Sequence, residues 1–249
     1  MEPPAFSDLL VGALLTLSPA RLAEVMSDAP ERAAPFVRAA AEHGLPAAQV
    51  RYGRLLLEGR GVARDEAAAL VWFTLAGEAG DADGLNMVGR CHENGWGTDQ
   101  DWTEAARWYR KAADDGCDWA QYNLGHLFLD GLGVARDPAA ALDWYRRAAA
   151  RGHPRAMNLV ARCLEQGWGV EADPGAARDW YRRSAEGGYF RGQYNYASLL
   201  ADEGRAEDAR DQFKQALGGA PPDTRRTMAK ALSARAEPLL KALGEEALA

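Results

Sequence analysis

The chain of 249 residues repeats itself at a fixed step of 36 residues, and this step constrains its fold more than any other feature. An aromatic pair recurs at this interval: Trp72-Phe73, Trp108-Tyr109, Trp144-Tyr145 and Trp180-Tyr181. Two glycines separated by one residue recur as well: Gly59 and Gly61, Gly95 and Gly97, Gly131 and Gly133, Gly167 and Gly169. Periods of this length are typical of stacked helical arrays. The sequence therefore predicts an all-α solenoid.

Each repeat predicts two helices joined by a glycine loop. In the third repeat, Leu124 and Leu127 lie on one face of the first helix, and Gly131 and Gly133 predict a backbone turn that a β-carbon would strain. Glycine costs about 1 kcal/mol in a helix interior, yet a small residue recurs in each first helix, as Gly53, Gly89, Gly125 and Ala161. We interpret it as a point where two helix backbones pass closely.

The second helix of each repeat begins at an aspartate and carries the aromatic pair. Asp137 is predicted to cap it with Pro138 in the first turn. Asp65, Asp101 and Asp173 occupy the same position in the other repeats. The tryptophans of the aromatic pairs recur in register on this helix, so they are predicted to lie in the core.

The periodicity also predicts how the chain is divided. We expect N-terminal capping helices with a half repeat over 1–47, repeats over 48–83, 84–119, 120–155 and 156–191, a degenerate repeat over 192–219, and a C-terminal capping helix and tail over 220–249. The capping helices are expected over about 6–17 and 19–27. Pro35 either kinks or starts the helix of the half repeat. In the degenerate repeat, Gln212-Phe213 stands where the aromatic pair is expected.

The repeats resemble the Sel1-like repeat family, which is related to the tetratricopeptide repeats but has a longer loop between its helices. The resemblance rests on the pattern A-x-x-x-L-G, G-x-G-V, D-x-x-x-A-x-x-W-Y-x-x-A-A and a final G, best preserved over 120–152. Thr98 and Ala161 depart from this pattern without changing the predicted fold. The resemblance implies a right-handed superhelix of helix pairs that serves as a protein-binding scaffold, often in bacteria.

Composition and motifs argue against several other functions. A net charge of −7 disfavours general binding to nucleic acid or to anionic membranes. The apolar run over 9–17 is too short to span a bilayer and lacks a basic leader, so we expect a cytoplasmic protein, with the periplasm as the alternative. Cys91, Cys117 and Cys163 are expected to be buried free thiols. No enzymatic, cofactor or metal motif is present, and Cys91 and His92 point in different directions on one helix.

The first helices carry a polar stripe that is the candidate binding site. After the recurring small residue stand Arg54, Arg90, His126, Arg162 and Ser198 in successive units. Residues three or four positions earlier share their helix face. We name the candidate set the first-helix stripe: Arg51, Arg54, Asn86, Arg90, Tyr122, Asn123, His126, Asn158, Arg162, Tyr194 and Asn195. Trp96 and Trp168 in the glycine loops are candidate contacts as well.

The stripe is expected on the concave side, where it would bind an extended acidic peptide or a C-terminal carboxylate. Arginine forks bind carboxylates in bidentate fashion. The alternative is that these arginines are solvated or pair with acids of neighbouring repeats: Glu58, Glu93, Asp130 and Glu165. Trp96 and Trp168 either contact a partner or fold back over their own repeats.

The sequence thus predicts a non-enzymatic scaffold or adaptor whose partner is a protein or peptide. It predicts no nucleic-acid partner and no membrane insertion, and a monomer or weak dimer. The alternative function is a dedicated regulator or inhibitor subunit of one enzyme or cell-envelope component. A scaffold is expected to bind several proteins and a dedicated inhibitor only one.

Overall fold

A computed structural model describes residues 30–249, with side chains from Arg32 onward. Helix is the only regular secondary structure over this range. The helices are α1 Pro30–Glu42, α2 Pro46–Glu58, α3 Glu66–Glu78, α4 Ala82–Asn94, α5 Trp102–Asp114, α6 Asp118–Asp130, α7 Pro138–Ala150, α8 Pro154–Gln166, α9 Pro174–Glu186, α10 Phe190–Asp202, α11 Ala206–Gly219, α12 Pro222–Ser233 and α13 Pro238–Glu246. The predicted capping helices over 6–17 and 19–27 lie outside the described residues.

The chain divides into two compact units between Ala135 and Arg136. In the first unit α2 packs on α3, α3 on α4, and α4 on α5. In the second unit α8 packs on α9, α9 on α10, and α10 on α11. Each unit is therefore a series of helix pairs in chain order, which confirms the predicted all-α solenoid.

Short-range signals fix the helix ends. The side chains of Asp65, Asp101, Asp137 and Asp173 accept backbone N–H groups in the first turn of α3, α5, α7 and α9. The first helices end at a glycine in the left-handed conformation, as at Gly59 with φ 66° and Gly95 with φ 73°. A recurring aspartate thus fixes the start of the second helices and a recurring glycine fixes the end of the first helices in the four full repeats. Helices α2 to α10 are all 13 residues long.

The second loop glycine is required for a further reason, which is contact with the preceding repeat. A β-carbon on Gly97 would lie 2.3 Å from the carbonyl oxygen of Glu66, in the first turn of α3. A β-carbon on Gly133 would lie equally close to Trp102, and one on Gly169 to Pro138. The loop backbone of each repeat therefore rests directly on the start of the previous repeat's second helix.

The aromatic core differs from the prediction. Phe73, Tyr109 and Tyr145 are completely buried, whereas of the recurring tryptophans only Trp144 is buried. The other three, Trp72, Trp108 and Trp180, are half-buried. Adjacent residues on a helix point about 100° apart, so only one of each pair can face the first helix. That residue is the tyrosine or phenylalanine, and the tryptophans other than Trp144 lie at the edge of the core.

The recurring small residue of the first helix accommodates an aromatic ring, not a second backbone as we had expected. A β-carbon on Gly53 would lie 2.5 Å from the Phe73 ring, and one on Gly89 would lie 2.6 Å from the Tyr109 ring. The glycine therefore lets the ring of the second helix lie flat against the first helix.

The structure adds detail at both ends of the described chain. Helix α1 begins at Pro30, so Pro35 lies inside it and does not start it. In the degenerate repeat, Phe213 is completely buried and fills the place of the core tyrosine. Pro238 starts the further helix α13, which Glu237 caps through the backbone N–H of Leu240 at 2.8 Å.

Candidate functional site

The residues of the first-helix stripe lie on the first helix of each repeat, in both units. In the first unit Arg54 is exposed, Asn86 is buried, and the half-buried members are Arg51, Arg90, Tyr122, Asn123 and His126. In the second unit Arg162 is exposed, Asn158 is buried, and Tyr194 and Asn195 are half-buried. The stripe is thus a partly accessible surface with two buried asparagines beneath it.

The asparagines bridge successive first helices. In the first unit, Nδ2 of Asn123 donates to Oδ1 of Asn86 at 3.1 Å. In the second unit, Nδ2 of Asn195 donates to Oδ1 of Asn158 at 2.9 Å. Buried amides must be hydrogen-bonded to avoid a large desolvation cost. These bonds tie α4 to α6 and α8 to α10, and they fix the positions of the side chains above them.

Each of two arginines of the stripe lies over the loop tryptophan of its own repeat. The guanidinium carbon of Arg90 is 5.1 Å from the centre of the Trp96 ring, and that of Arg162 is 5.2 Å from the Trp168 ring. Such cation–π contacts contribute about 0.5–1 kcal/mol at exposed sites. Trp96 also packs against the core of the first unit. The stripe residues Arg90 and Arg162 therefore share their sites with the loop residues Trp96 and Trp168.

The acid one helical turn beyond each of these arginines binds a tyrosine instead of the arginine. The Tyr109 hydroxyl donates to the Glu93 carboxylate, and the Tyr181 hydroxyl donates to Oε2 of Glu165 at 2.9 Å. Burial first, and then the nearby carboxylate, raises the pKa of both tyrosines well above the ordinary value. Both hydroxyls therefore stay protonated and act as donors. Each holds the carboxylate of a first-helix glutamate against the second helix.

The ion pairs that would make these arginines unavailable are not formed. Among the residues that the structure describes, no ion pair involves Arg90 or Arg162. Glu58 pairs with Arg60 at 3.2 Å, within its own loop. Nη1 of Arg90 also donates to the Met87 sulfur at 3.7 Å. A guanidinium has five N–H donors, so further donors are available to bind a carboxylate.

An aromatic row on α6 extends the stripe and was missed by sequence reasoning. The Trp119 and Tyr122 rings lie edge-to-face with centroids 6.1 Å apart, and the Tyr122 and His126 rings do so at 4.6 Å. Trp119 is 42% exposed, which is unusual for a tryptophan in a helix. The signal was available in the sequence, because Trp119 precedes Tyr122 by three residues and so shares its face.

The second unit contains two open clefts that the sequence did not predict. One, of about 510 Å³, includes Arg146 and Trp180 in its wall. The other, of about 370 Å³, is lined by polar side chains that include Gln193, Gln212 and Tyr196. Gln212 stands where the other repeats have tryptophan, and this loss of side-chain volume was visible in the sequence.

The cysteines were the remaining candidates for chemistry. Cys91, Cys117 and Cys163 are free and buried, as expected. Burial raises the pKa of the Cys91 thiol to about 12 and that of Cys163 to about 11, and a thiol is nucleophilic only as the thiolate. Across residues 30–249, no three His, Cys, Asp or Glu side chains are grouped as metal ligands. None of helices α1–α13 combines the length and the apolar composition needed to cross a bilayer.

The fold and the stripe define a class of protein, the solenoid of paired helices with a polar face on its first helices. The Sel1 repeat pattern matches four segments of the chain, residues 46–81, 82–117, 120–153 and 154–189. These segments make up more than half of the sequence, and the chain belongs to the Sel1 repeat family. A search of curated protein sequences found no match.

Solved structures agree with this assignment. A Sel1 repeat protein from Oxalobacter formigenes is 28% identical, with a TM-score of 0.75 over 98% of this chain and 97% of that one. A protective antigen of uropathogenic Escherichia coli with an SLR fold is 26% identical, with a TM-score of 0.70. This alignment covers 97% of the present chain and 54% of the antigen, so the chain spans about half of the antigen's length. An immunity protein from Pseudomonas aeruginosa shares the fold at 18% identity, with a TM-score of 0.56 over 82% of this chain and 78% of that one.

Proposed function

We propose that the chain is a non-enzymatic protein-binding scaffold, and that the first-helix stripe binds an extended acidic segment of a partner protein. The observation that carries this proposal is the pair of arginine–tryptophan stacks. Arg90 lies over Trp96 and Arg162 over Trp168, and in the described chain neither arginine has a carboxylate partner. The sites are thus assembled before any acidic ligand arrives.

The chemistry of these groups favours a peptide carboxylate. The contact with the indole restricts the arginine side chain, so that less side-chain entropy is lost when its guanidinium binds a carboxylate. Tryptophan and arginine are also the residues that dominate the energy of protein interfaces. Since the chain as a whole carries a net charge of −7, long-range attraction does not assist an acidic partner. Binding therefore depends on these local sites.

Membership of the Sel1 repeat family supports the coarser part of the proposal, because proteins of this fold typically bind other proteins. The remaining stripe residues would complete the surface around the two stacks. Arg51 and Arg54 lie on α2, and Trp119, Tyr122 and His126 lie on α6.

Charge reversal at the two stacked arginines tests the proposal. The probe is a dye-labelled peptide of 12 residues, rich in glutamate, in a form with a free C-terminal carboxylate and in an amidated form. We expect Arg90→Glu with Arg162→Glu to abolish the change in fluorescence anisotropy that the unaltered chain gives, with the helical circular dichroism unchanged. Comparing the two peptides distinguishes internal acids from the terminal carboxylate.

The control for this experiment is Lys214→Glu with Arg226→Glu, which changes the net charge equally at two exposed positions on α11 and α12. Peptide binding should survive in this variant. Binding that survives the reversal of Arg90 and Arg162 as well would show that the stripe is not the site.

A second candidate is a dedicated inhibitor of one target protein. The immunity protein from Pseudomonas aeruginosa named above has the same fold, but at 18% identity the likeness extends to the fold alone. Affinity purification from the native host distinguishes the two candidate functions. Proteins that the variant with Arg90→Glu and Arg162→Glu also retains are subtracted from those that the unaltered chain retains. A scaffold retains several proteins through the stripe, and an inhibitor retains a single protein at equal stoichiometry.

A further inference from the structure

The two arginine–tryptophan stacks belong to larger sites that the chain builds twice. We call Asn86, Arg90, Trp96, Tyr122 and Asn123 site 1, and Asn158, Arg162, Trp168, Tyr194 and Asn195 site 2. Every member of site 2 stands 72 residues after its counterpart in site 1, which is two repeats and not one. Each site lies entirely within one unit of the chain.

The two sites share three contacts of similar geometry. The asparagine bond is 3.1 Å long in site 1 and 2.9 Å in site 2. The guanidinium lies 5.1 Å above the indole in site 1 and 5.2 Å above it in site 2. In both sites a buried tyrosine holds the neighbouring glutamate, Glu93 in the first and Glu165 in the second. Two separate parts of the chain thus form the same arrangement of donors and aromatic surface.

The first and third repeats lack the arrangement. In the first repeat, Arg54 occupies the arginine position, but Arg60 stands where the loop tryptophan is needed. In the third repeat, those two positions are His126 and Leu132. The glutamate is replaced as well, by Leu57 and Leu129. The loop tryptophan and the glutamate therefore occur only in the second and fourth repeats, each time together with the arginine, which indicates that these three residues act as one unit.

We propose that the chain is a bivalent receptor, with two equivalent and separate sites that each bind one copy of the same short acidic segment. Its partner would present that segment twice, either in two repeats of one chain or in the two subunits of a dimer. Two linked contacts of modest strength then give a combined affinity well above either one alone. This inference rests on the proposed function and adds to it the number of sites and the form of the partner.

Titration calorimetry with the glutamate-rich 12-residue peptide measures the number of sites. The form used, with an amidated or a free C-terminus, is the one that binds the unaltered chain. For the unaltered chain we expect two peptides to bind per chain, with a single affinity. Trp96→Leu or Trp168→Leu should each reduce the number from two to one, and the two changes together should abolish binding. Leucine is the residue that the third repeat has at this position, as Leu132, so the loop has a natural precedent for it. Arg90→Glu alone or Arg162→Glu alone should likewise reduce the number of bound peptides from two to one.

The matched control is Arg226→Glu, which reverses an exposed arginine on α12, outside the first-helix stripe. The number of bound peptides should stay at two. One peptide per chain in the unaltered protein, or loss of both sites from a single substitution, would overturn the bivalent receptor while leaving an acidic-segment binder in place. Absence of any binding to the unaltered chain would instead refute the proposed function itself, and the bivalent receptor with it.

Discussion

At the scale of single residues, the hydroxyl of Tyr109 determines which group the carboxylate of Glu93 contacts. Glu93 stands three residues after Arg90, a spacing at which oppositely charged side chains on a helix commonly pair. The hydroxyl accounts for the position of the carboxylate, because Tyr109 donates to it from α5. The arginine is consequently left to stack on Trp96. Tyr109, which lies outside the binding surface, thus keeps Arg90 available to a partner.

Tyr109→Phe should release the Glu93 carboxylate, which then competes with the peptide for Arg90. An exposed ion pair is worth about 0.2–1 kcal/mol, so we expect the affinity of site 1 to fall by a factor of about 1.4 to 5. Phenylalanine fits this position, since Phe73 occupies it in the first repeat. Calorimetric titration with the acidic peptide measures the change, in the Trp168→Leu background so that site 1 is observed alone.

Adding Glu93→Gln to Tyr109→Phe is the control, because the neutral amide no longer competes for the guanidinium. The double variant should bind like the parent chain. An affinity that stays low in the double variant would mean that the hydroxyl acts through stability or packing and not through the position of the carboxylate.

At the scale of helices and loops, the second loop glycine connects one repeat to the next. Gly97 combines a left-handed backbone, with φ 71°, and a β-carbon position occupied by the first turn of α3. An alanine there faces two separate costs, whereas at most positions a left-handed glycine faces one. The recurrence of this glycine at the repeat step therefore reflects stacking between repeats as well as the turn itself.

Gly97→Ala should lower the free energy of unfolding by about 1–2 kcal/mol for the left-handed backbone and by about a further 1–3 kcal/mol for overpacking against α3. Gly80→Ala separates the two effects. Gly80 also has a positive φ, of 88°, but nothing lies within 4 Å of its β-carbon position. Urea unfolding followed by circular dichroism should show the larger loss for Gly97→Ala. Equal losses in the two variants would contradict the contact between repeats.

The helices were predictable because their signals are local. The capping aspartates and the left-handed glycines each act within a few residues, and the structure uses them as the sequence indicated. The identity of the buried aromatic was not predictable. Trp72 and Phe73 are adjacent, and only the rotation of α3 against α2 decides which of them faces inward.

The candidate site was predictable in its residues but not in its arrangement. Periodicity placed Arg90 and Asn86 on one face, since they are one turn apart. The bond between Asn86 and Asn123 spans 37 residues, one more than the repeat step, so it depends on how far neighbouring first helices are offset. The contact between Arg90 and Trp96 crosses the glycine turn, and its geometry follows from the loop conformation.

At the scale of the whole molecule, buried thiol and phenol groups that are neutral in the folded state make the free energy of unfolding depend on pH in the alkaline range. Burial raises the pKa of the Cys91 thiol to about 12 and that of the Cys117 and Cys163 thiols to about 11, from an ordinary value of 9.0. Burial raises the pKa values of Tyr109 and Tyr181 as well. The folded state therefore keeps protons that the unfolded chain releases above pH 9.

The stabilisation from these thiols is fully present below about pH 9 and is lost as the pH rises through the folded-state values of 11 to 12. We expect the urea midpoint to be constant from pH 7 to 8.5 and to fall steadily from pH 9 to 10.5. A variant with Cys91→Ala and Cys163→Ala should show a shallower fall. A midpoint that does not change over the whole range would show that these thiols are not buried in the folded chain.

The central claim is that Trp96 and Trp168, each beneath its arginine, mark the places where a partner's acidic segment binds. Nuclear magnetic resonance of the indole N–H groups tests it most directly, because the chain has eight tryptophans and Trp96→Leu and Trp168→Leu assign the two relevant signals. On addition of the acidic peptide, we predict that these two indole signals shift together, while those of the aromatic-pair residues Trp72, Trp108, Trp144 and Trp180 keep their positions. Shifts confined to the aromatic-pair tryptophans, or spread evenly over all eight, would contradict the account.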